Sequence, residues 1–245
     1  MSCSATPLFP NSVVSNDLDF ITLQDPHVFE RLDFSDRKWC EMPDKRHDDL
    51  NAEGTFVFGA YFSDGTQVDI LAHPDFDTVE NAERHVLMIA EPLGRLPRFI
   101  RLGLSHVVLH DGDETAFSED LGRFFVLYSE NVKTRLRDHD IEETLFHESV
   151  HATLDANYAE SAGWEQAQRS DGAYITRYAA DNPKKEDLAE SALFAHALLR
   201  HPARLPDETE QAVRALIPNR LGYLETLFDD LDNIATKTDR TPTCW

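Results

Sequence analysis

Positive charge is scarce in this chain of 245 residues, where 23 Lys and Arg residues face 45 Asp and Glu residues and the net charge is −22. Nucleic acids and anionic membranes both need a basic surface, so this deficit argues against both classes of partner. No apolar run approaches the roughly 18 residues of a membrane-spanning helix. Residues 1–20 lack a basic start and an apolar stretch, so this chain shows no signal peptide. With 41% hydrophobic residues, it can still build a globular core.

Cysteine is also rare, with residues at positions 3, 40 and 244. No two of them are close enough in sequence to form a C-x-x-C metal knuckle or redox pair. A Cys40–Cys244 disulfide and three free thiols are both compatible with the sequence. Lysine is scarce beside arginine and acids are abundant, which favours a saline or extracellular setting but leaves the compartment open.

The order of the predicted elements, strands with one helix followed by helices, indicates the α+β class. Residues 1–54 are expected to form an N-terminal segment packed on the domain, with a loose arm over 1–16 and a charged, loop-rich stretch over 36–54. The domain itself is expected over 55–245. Its sheet subdomain covers 55–138. It has a predicted hairpin of strands 55–62 and 66–71, a helix over 77–90, and two further strands over 106–110 and 123–128. Its helical subdomain, 139–245, has predicted helices over 141–157, 164–180 with a break near Gly172, 182–200 with Asn182 as cap and Pro183 in the first turn, 207–216 and 219–231.

The sharpest motif is His147-Glu148-Ser149-Val150-His151, in a stretch that is predicted to be helical. Two histidines at i and i+4 lie on one helix face, about 6 Å apart at their bases, and can hold one zinc ion. Glu148 lies on the same side, which is the H-E-x-x-H arrangement of zinc hydrolases. The alternative is a pair of surface histidines on a charged helix. The apolar residues around the motif argue against that alternative, because ionisable groups on a buried helix need a compensating partner.

A third ligand has to come from another part of the chain, because no His or Asp follows at the metzincin spacing. Asp155 is too far along the helix axis to share the metal with His147, but it can hydrogen-bond His151 or remain a surface carboxylate. Glu186 lies at the start of a later packed helix, with Glu190 one turn further on. Standing alone, this pair is typical of solvated acids at a helix start. Downstream of H-E-x-x-H, Glu186 is the favoured third zinc ligand.

Over roughly residues 120–200 the chain resembles the gluzincin metallopeptidases, in particular the anthrax-lethal-factor-like branch. The motifs that carry this resemblance are His147-Glu-x-x-His151, Tyr178 and Glu186-x-x-Ala189-Glu190. The resemblance implies that Glu186 is the third ligand and that Glu190 supports the ligands. It also implies that Tyr178 faces the metal, with Tyr174 as the alternative one helical turn earlier. Residues 163–168 and 171–174 also resemble a family of hypothetical proteins.

The resemblance implies a zincin-like architecture as well. This is a twisted, mostly antiparallel sheet with a backing helix, followed by a helical subdomain, with the zinc cleft between the two. In zincins the last strand before the zinc helix forms the upper rim of the cleft and pairs with an extended substrate. The predicted strand at Arg123–Tyr128 is in that position, so we expect a peptide to add to the sheet there.

These observations predict a zinc-dependent endopeptidase that acts on a peptide or protein substrate and uses Zn²⁺ as its cofactor. Its expected residues are the ligands His147, His151 and Glu186, the general base Glu148, the oxyanion donor Tyr178, and Glu190 and Asp155, which orient the ligands. Two alternatives stay open. One is a binding or inhibitory module on the same fold, against which the intact base argues. The other is a zinc hydrolase of a non-peptide amide. A role of residues 1–54 as a latency segment also stays open.

Overall fold

A computed structural model describes residues 6–48, 50–234 and 244–245. Within these ranges the expected α+β class is confirmed, with a mixed sheet of six strands and nine α-helices. The chain divides into two units. The sheet unit comprises Gln24–Thr153 and the described C-terminal residues, and the helical unit comprises Leu154–Ile234 and the described residues up to Leu23. No helix in the described ranges is long and apolar enough to cross a membrane.

The sheet combines antiparallel and parallel pairing. Its strands are β1 (Phe29–Glu41), β2 (Asn51–Phe62), β3 (Gln67–Ala72), β4 (His106–His110), β5 (Phe117–Glu119) and β6 (Phe124–Tyr128), in the spatial order β1-β2-β3-β4-β6-β5. The pairs β1–β2, β2–β3 and β5–β6 are antiparallel, and β3–β4 and β4–β6 are parallel. The sheet is therefore mixed, with antiparallel pairing in three of its five strand pairs. Parallel pairing of β3 with β4 is possible because a long helical connection returns the chain to the same end of the sheet.

The predicted hairpin is confirmed as β2 and β3, and the two later predicted strands are confirmed as β4 and β6. At the hairpin turn, Gly65 has a φ of +80°, a conformation that favours glycine. The Asp64 carboxylate accepts a hydrogen bond from the Thr66 backbone N–H at 3.1 Å, which closes the turn. All residues of β4 and β6 are buried, as is usual for interior parallel strands.

The stretch over 36–54 is not the loop-rich segment that the sequence indicated, because β1 continues to Glu41 and β2 begins at Asn51. β1 lies at one edge of the sheet and most of its residues are exposed. An exposed edge strand does not need the alternation of apolar and polar residues that identifies a half-buried strand. Its charged sequence therefore carries little strand signal.

The expectation that the strand at residues 123–128 forms a substrate-binding rim is wrong. β6 lies inside the sheet, hydrogen-bonded to β4 on one side and to β5 on the other. Along Phe124–Val126 both of its edges are therefore occupied by neighbouring strands. The edge position belongs to β5, a strand of three residues that the sequence analysis did not predict.

The helices are α1 (Val79–Leu93), α2 (Arg98–Gly103), α3 (Ser129–Asp138), α4 (Ile141–Tyr158), α5 (Ala162–Asp171), α6 (Arg177–Asp181), α7 (Asp187–Arg200), α8 (Asp207–Leu216) and α9 (Pro218–Asp232). The predicted helices occur in the predicted order, whereas α2 and α3 were not predicted from the sequence. Thr78 caps α1 by accepting a hydrogen bond from the Asn81 backbone N–H. The prediction that α7 starts at Asn182-Pro183 is wrong. Residues 183–186 form a turn in which the Asn182 carbonyl accepts from the Glu186 N–H at 2.9 Å, so the helix begins at Asp187.

The N-terminal arm is not loose over its described part. Phe9 stacks on Phe194 with ring centroids 5.3 Å apart, and Phe20 meets the same ring edge-on at 4.8 Å. Val13 and Phe20 are buried. The small, polar and Pro-containing sequence suggested a loose arm, yet Val13 and Phe20 are part of the core of the helical unit.

Of the two cysteine alternatives, the structure contains the Cys40–Cys244 disulfide. Cys3 lies outside the described residues. Trp39 and Trp245 exchange backbone hydrogen bonds beside the disulfide, which pairs the end of the chain with β1. The bridge joins residues 204 positions apart, and restricting such a long loop in the unfolded chain contributes about 5 kcal/mol to stability in the loop-entropy account.

A buried polar cluster holds the connection between β1 and β2 against the ends of β4 and β6. The Asp44 carboxylate accepts hydrogen bonds from Arg46 Nη2 at 2.7 Å and from the Tyr128 hydroxyl at 3.0 Å. His110 Nδ1 lies 3.5 Å from the same carboxylate, and the His73 ring lies 5.0 Å from the His110 ring. Burial alone would raise the pKa of Asp44, but the hydrogen bonds from Arg46 and Tyr128 and the nearby His110 hold that pKa well below its usual range.

Acid is expected to destabilise the sheet unit through His110. Burial lowers the pKa of His110 from 6.5 to about 4; Asp44 opposes this change, and His73 and Arg46 add to it. Between these two pH values the unfolded chain binds a proton that the folded protein does not. The free energy of unfolding therefore falls by up to about 3 kcal/mol as the pH drops through this window.

Urea unfolding of the wild type and of His110→Gln at about pH 7 and about pH 4.5 measures this contribution. The variant should lose less stability than the wild type between the two pH values. His47→Gln is the matched control, because that histidine is exposed, and it should behave as the wild type does. An equal pH-dependent loss in His110→Gln and in the wild type would contradict the assignment.

Candidate metal centre

Helix α4 brings the two histidines of the H-E-x-x-H motif together. Leu145, Phe146 and Val150 are fully buried, and this packing fixes the rotation of the helix about its axis. His147 is 6% exposed and His151 is half-buried, and their Nε2 atoms lie 3.1 Å apart with the rings nearly perpendicular at 84°. Two nitrogens that each lie about 2.05 Å from one tetrahedral ion would be about 3.3 Å apart. The imidazole pair therefore has the spacing of two ligands of a single ion.

Glu148 is held by a strand that the sequence analysis missed. The hydroxyl of Ser118, on β5, lies 2.6 Å from Glu148 Oε2 and 2.9 Å from the Glu148 backbone carbonyl. A hydrogen bond from a hydroxyl to a carboxylate at this distance is of the charge-assisted, stronger type. β5 thus orients the carboxylate of the motif. No pattern in the sequence links residues 30 positions apart in this way.

Glu186 is the N-cap residue of α7, and the structure places a tyrosine on it. The Tyr178 hydroxyl donates a hydrogen bond to Glu186 Oε1 at 2.9 Å. Tyr178 lies in α6, whose N-terminus is capped by the side chain of buried Thr176. The alternative residue, Tyr174, has the Arg220 guanidinium over its ring at 5.0 Å. Of the two candidate tyrosines, Tyr178 is therefore the one with a direct bond to the candidate ligand.

His147, His151 and Glu186 form a group that could hold a metal ion, because their ligand atoms all lie within 4.8 Å of one another. Among the described residues, this is the one such group of three or more His, Cys, Asp and Glu side chains. Two imidazole nitrogens and one carboxylate oxygen are the donor set of catalytic zinc sites that keep a fourth position open. The residues present therefore fit a zinc ion.

A buried charge network anchors α7 immediately after the candidate ligand. Asp187 accepts hydrogen bonds from Arg220 Nη1 at 2.7 Å and from Gln168 Nε2 at 2.8 Å. Arg220 Nε also lies 3.3 Å from the Asp171 carboxylate, and the side chains of all three charged residues are completely buried. Since Asp187 follows Glu186 directly, this network fixes the backbone from which the Glu186 side chain extends.

The two predicted supporting carboxylates are in different situations. Glu190 is completely buried on α7, and its two oxygens accept hydrogen bonds from the Ser12 hydroxyl at 2.6 Å and from the Val13 N–H at 2.8 Å. These bonds tie it to the N-terminal residues, a contact that the sequence analysis did not foresee. Asp155 is half-buried on α4, four residues after His151, and its role as a partner of that imidazole stays a prediction.

Comparison of the chain with protein-family models, with curated proteins and with solved structures finds no match in any of the three. The functional argument therefore rests on the geometry and chemistry of the residues themselves.

Removing Arg220 should strongly destabilise the helical unit. Arg220→Met leaves two buried carboxylates without their guanidinium partner, and such a change typically costs about 3–5 kcal/mol. The matched control is Arg177→Met, which breaks the exposed pair with Asp181 at 3.2 Å and should cost less than about 1 kcal/mol. Urea unfolding of both variants makes the comparison. Equal, small losses would show that the buried network does not hold α7.

Proposed function

We propose that this protein is a zinc-dependent endopeptidase, with His147, His151 and Glu186 as the zinc ligands. The observation that carries the proposal is the convergence of these three ligand atoms within 4.8 Å, next to a carboxylate on the same helix. A structural zinc site needs no such additional carboxylate, whereas a hydrolytic site needs a base.

Zinc, when bound to these ligands, would polarise a substrate carbonyl and make a water molecule acidic near neutral pH. Glu148 is the general base in this proposal. Its carboxylate takes a proton from the attacking water and later gives it to the nitrogen of the leaving amine. Ser118 holds one oxygen of that carboxylate at 2.6 Å, so the base enters the reaction already oriented.

Tyr178 is the proposed oxyanion donor. Its hydroxyl donates to Glu186 Oε1 at 2.9 Å, and its side chain is 41% exposed, so a substrate can reach it. In the reaction the Tyr178 hydroxyl would release its hydrogen bond to the Glu186 carboxylate and donate one to the developing oxyanion instead. A single donor of this kind typically contributes about 10²–10³ to turnover.

A peptide substrate is proposed to add to the sheet at β5. Within the described residues, β5 pairs with β6 along one edge and with no strand along the other. An extended peptide can bind there through main-chain hydrogen bonds. Ser118 lies in this strand and contacts the Glu148 carboxylate, so a peptide on β5 would lie near the base. This replaces the expectation that residues 123–128 bind the substrate.

Glu148→Gln should keep zinc and lose turnover. Glutamine preserves the size of the side chain but cannot take a proton at neutral pH, and the loss of a general base typically lowers kcat by about 10²–10⁴. Bound zinc and cleavage of a peptide library are measured on the same preparations. Glu208→Gln, an exposed position on α8, is the control and should cleave as the wild type does.

Retained cleavage in Glu148→Gln would contradict the proposed mechanism. A wild type that binds zinc but cleaves no peptide, tested in parallel against simple amides, would favour the hydrolase of another amide or a binding module.

A further inference from the structure

The N-terminal residues make backbone contact with the segment that leads into α6. Residues 9–21 are called the N-terminal strap below. The Phe9 N–H donates to the Ile175 carbonyl at 3.1 Å, and the Arg177 N–H donates to the Phe9 carbonyl at 2.9 Å. These two bonds flank Thr176, the residue that caps α6. The strap therefore holds the backbone directly next to Tyr178.

Glu190 fastens the same strap to α7. Both of its oxygens accept hydrogen bonds from the strap, one from the Ser12 hydroxyl at 2.6 Å and one from the Val13 N–H at 2.8 Å. The Glu190 side chain is completely buried, where an ionised carboxylate is costly unless it is hydrogen-bonded. Glu190 lies one helical turn after Glu186, and its backbone N–H donates a hydrogen bond to the Glu186 carbonyl at 2.9 Å. The strap thus reaches the turn of helix that carries the candidate ligand.

Apolar packing completes the attachment. Phe9 and Phe20 contact the Phe194 ring, which lies one turn beyond Glu190 on α7 and is completely buried. Arg204 donates a hydrogen bond to the Phe20 carbonyl at 2.7 Å and so fixes the far end of the strap. The strap is therefore bound to the helical unit along its length and not only at the carboxylate.

We infer that Glu190 is a positioning residue that acts through the N-terminal strap, and that the two together hold the Tyr178–Glu186 pair in place. α6 has five residues, too few to be stable without tertiary contacts. The strap supplies such contacts on the N-terminal side of α6 and, through Glu190, on α7. The strap is then an integral part of the candidate metal centre and not a removable latency segment. The link to zinc rests on the proposed function, whereas the link to the Tyr178–Glu186 pair does not.

Ser12→Ala and Glu190→Gln test this inference in the full-length protein. Hydrogen exchange of the backbone amides of residues 175–190 is measured without metal, and zinc affinity is measured by competition with a chelator. Loss of a hydrogen bond to a buried carboxylate should speed local exchange about tenfold or more and weaken zinc binding by a similar factor. Amides of α8 should keep the exchange rates of the wild type, which separates local loosening from general destabilisation.

Two further variants sharpen the test. Ser12→Thr keeps the hydroxyl and should restore both the exchange rates and the zinc affinity. Ser15→Ala, at an exposed position of the same strap, should change neither. A latency cover would give a different result, because loosening it with Ser12→Ala would leave zinc affinity unchanged or raise it.

The outcomes separate the two proposals. Unchanged exchange at residues 175–190 in both Ser12→Ala and Glu190→Gln would overturn the inference, whatever zinc does. Faster exchange with unchanged zinc affinity would also overturn it, because the metal centre would not depend on the strap. If the variants show faster local exchange but the wild type binds no zinc, the role of the strap in holding the Tyr178–Glu186 pair is supported and the proposed zinc enzyme is contradicted.

Discussion

Two imidazole nitrogens 3.1 Å apart on a packed helix cannot both present lone pairs to each other, and the candidate centre is arranged around this constraint. A proton shared between His147 and His151, or a cation bound to both, removes the repulsion. The helix forces the approach, because side chains at i and i+4 point to the same side and the apolar residues around the motif prevent the helix from turning. A carboxylate oxygen of Glu186 within 4.8 Å completes a group that could hold a divalent cation, since it adds a carboxylate to the two imidazoles.

The groups next to this centre are oriented by contacts from elsewhere in the chain. Ser118 holds the Glu148 carboxylate, and Tyr178 holds an oxygen of Glu186. Both place a hydroxyl on a carboxylate that has a role in the proposed function, and metal sites commonly have such orienting hydrogen bonds.

Sequence reasoning identified the local elements of this structure but missed several contacts between residues that are distant in sequence. The helix around His147 and His151 and the hairpin of β2 and β3 follow from apolar periodicity and turn residues, which are local signals. β1 escaped prediction because an exposed edge strand needs no alternation. β5 was not predicted because a strand of three residues is too short to show an alternation of apolar and polar residues. The bond between Ser12 and Glu190 joins positions 178 apart, and only the folded backbone brings such residues together.

The most direct test of the central claim is the zinc content per chain of the wild type and of Glu186→Ala, measured side by side by elemental analysis. If the two histidines and Glu186 hold one ion, the wild type should contain about one zinc per chain and the variant much less. Full zinc in both proteins would show that Glu186 is not the third ligand. A wild type that takes up no zinc, even when it is added back, would contradict the account of a zinc enzyme.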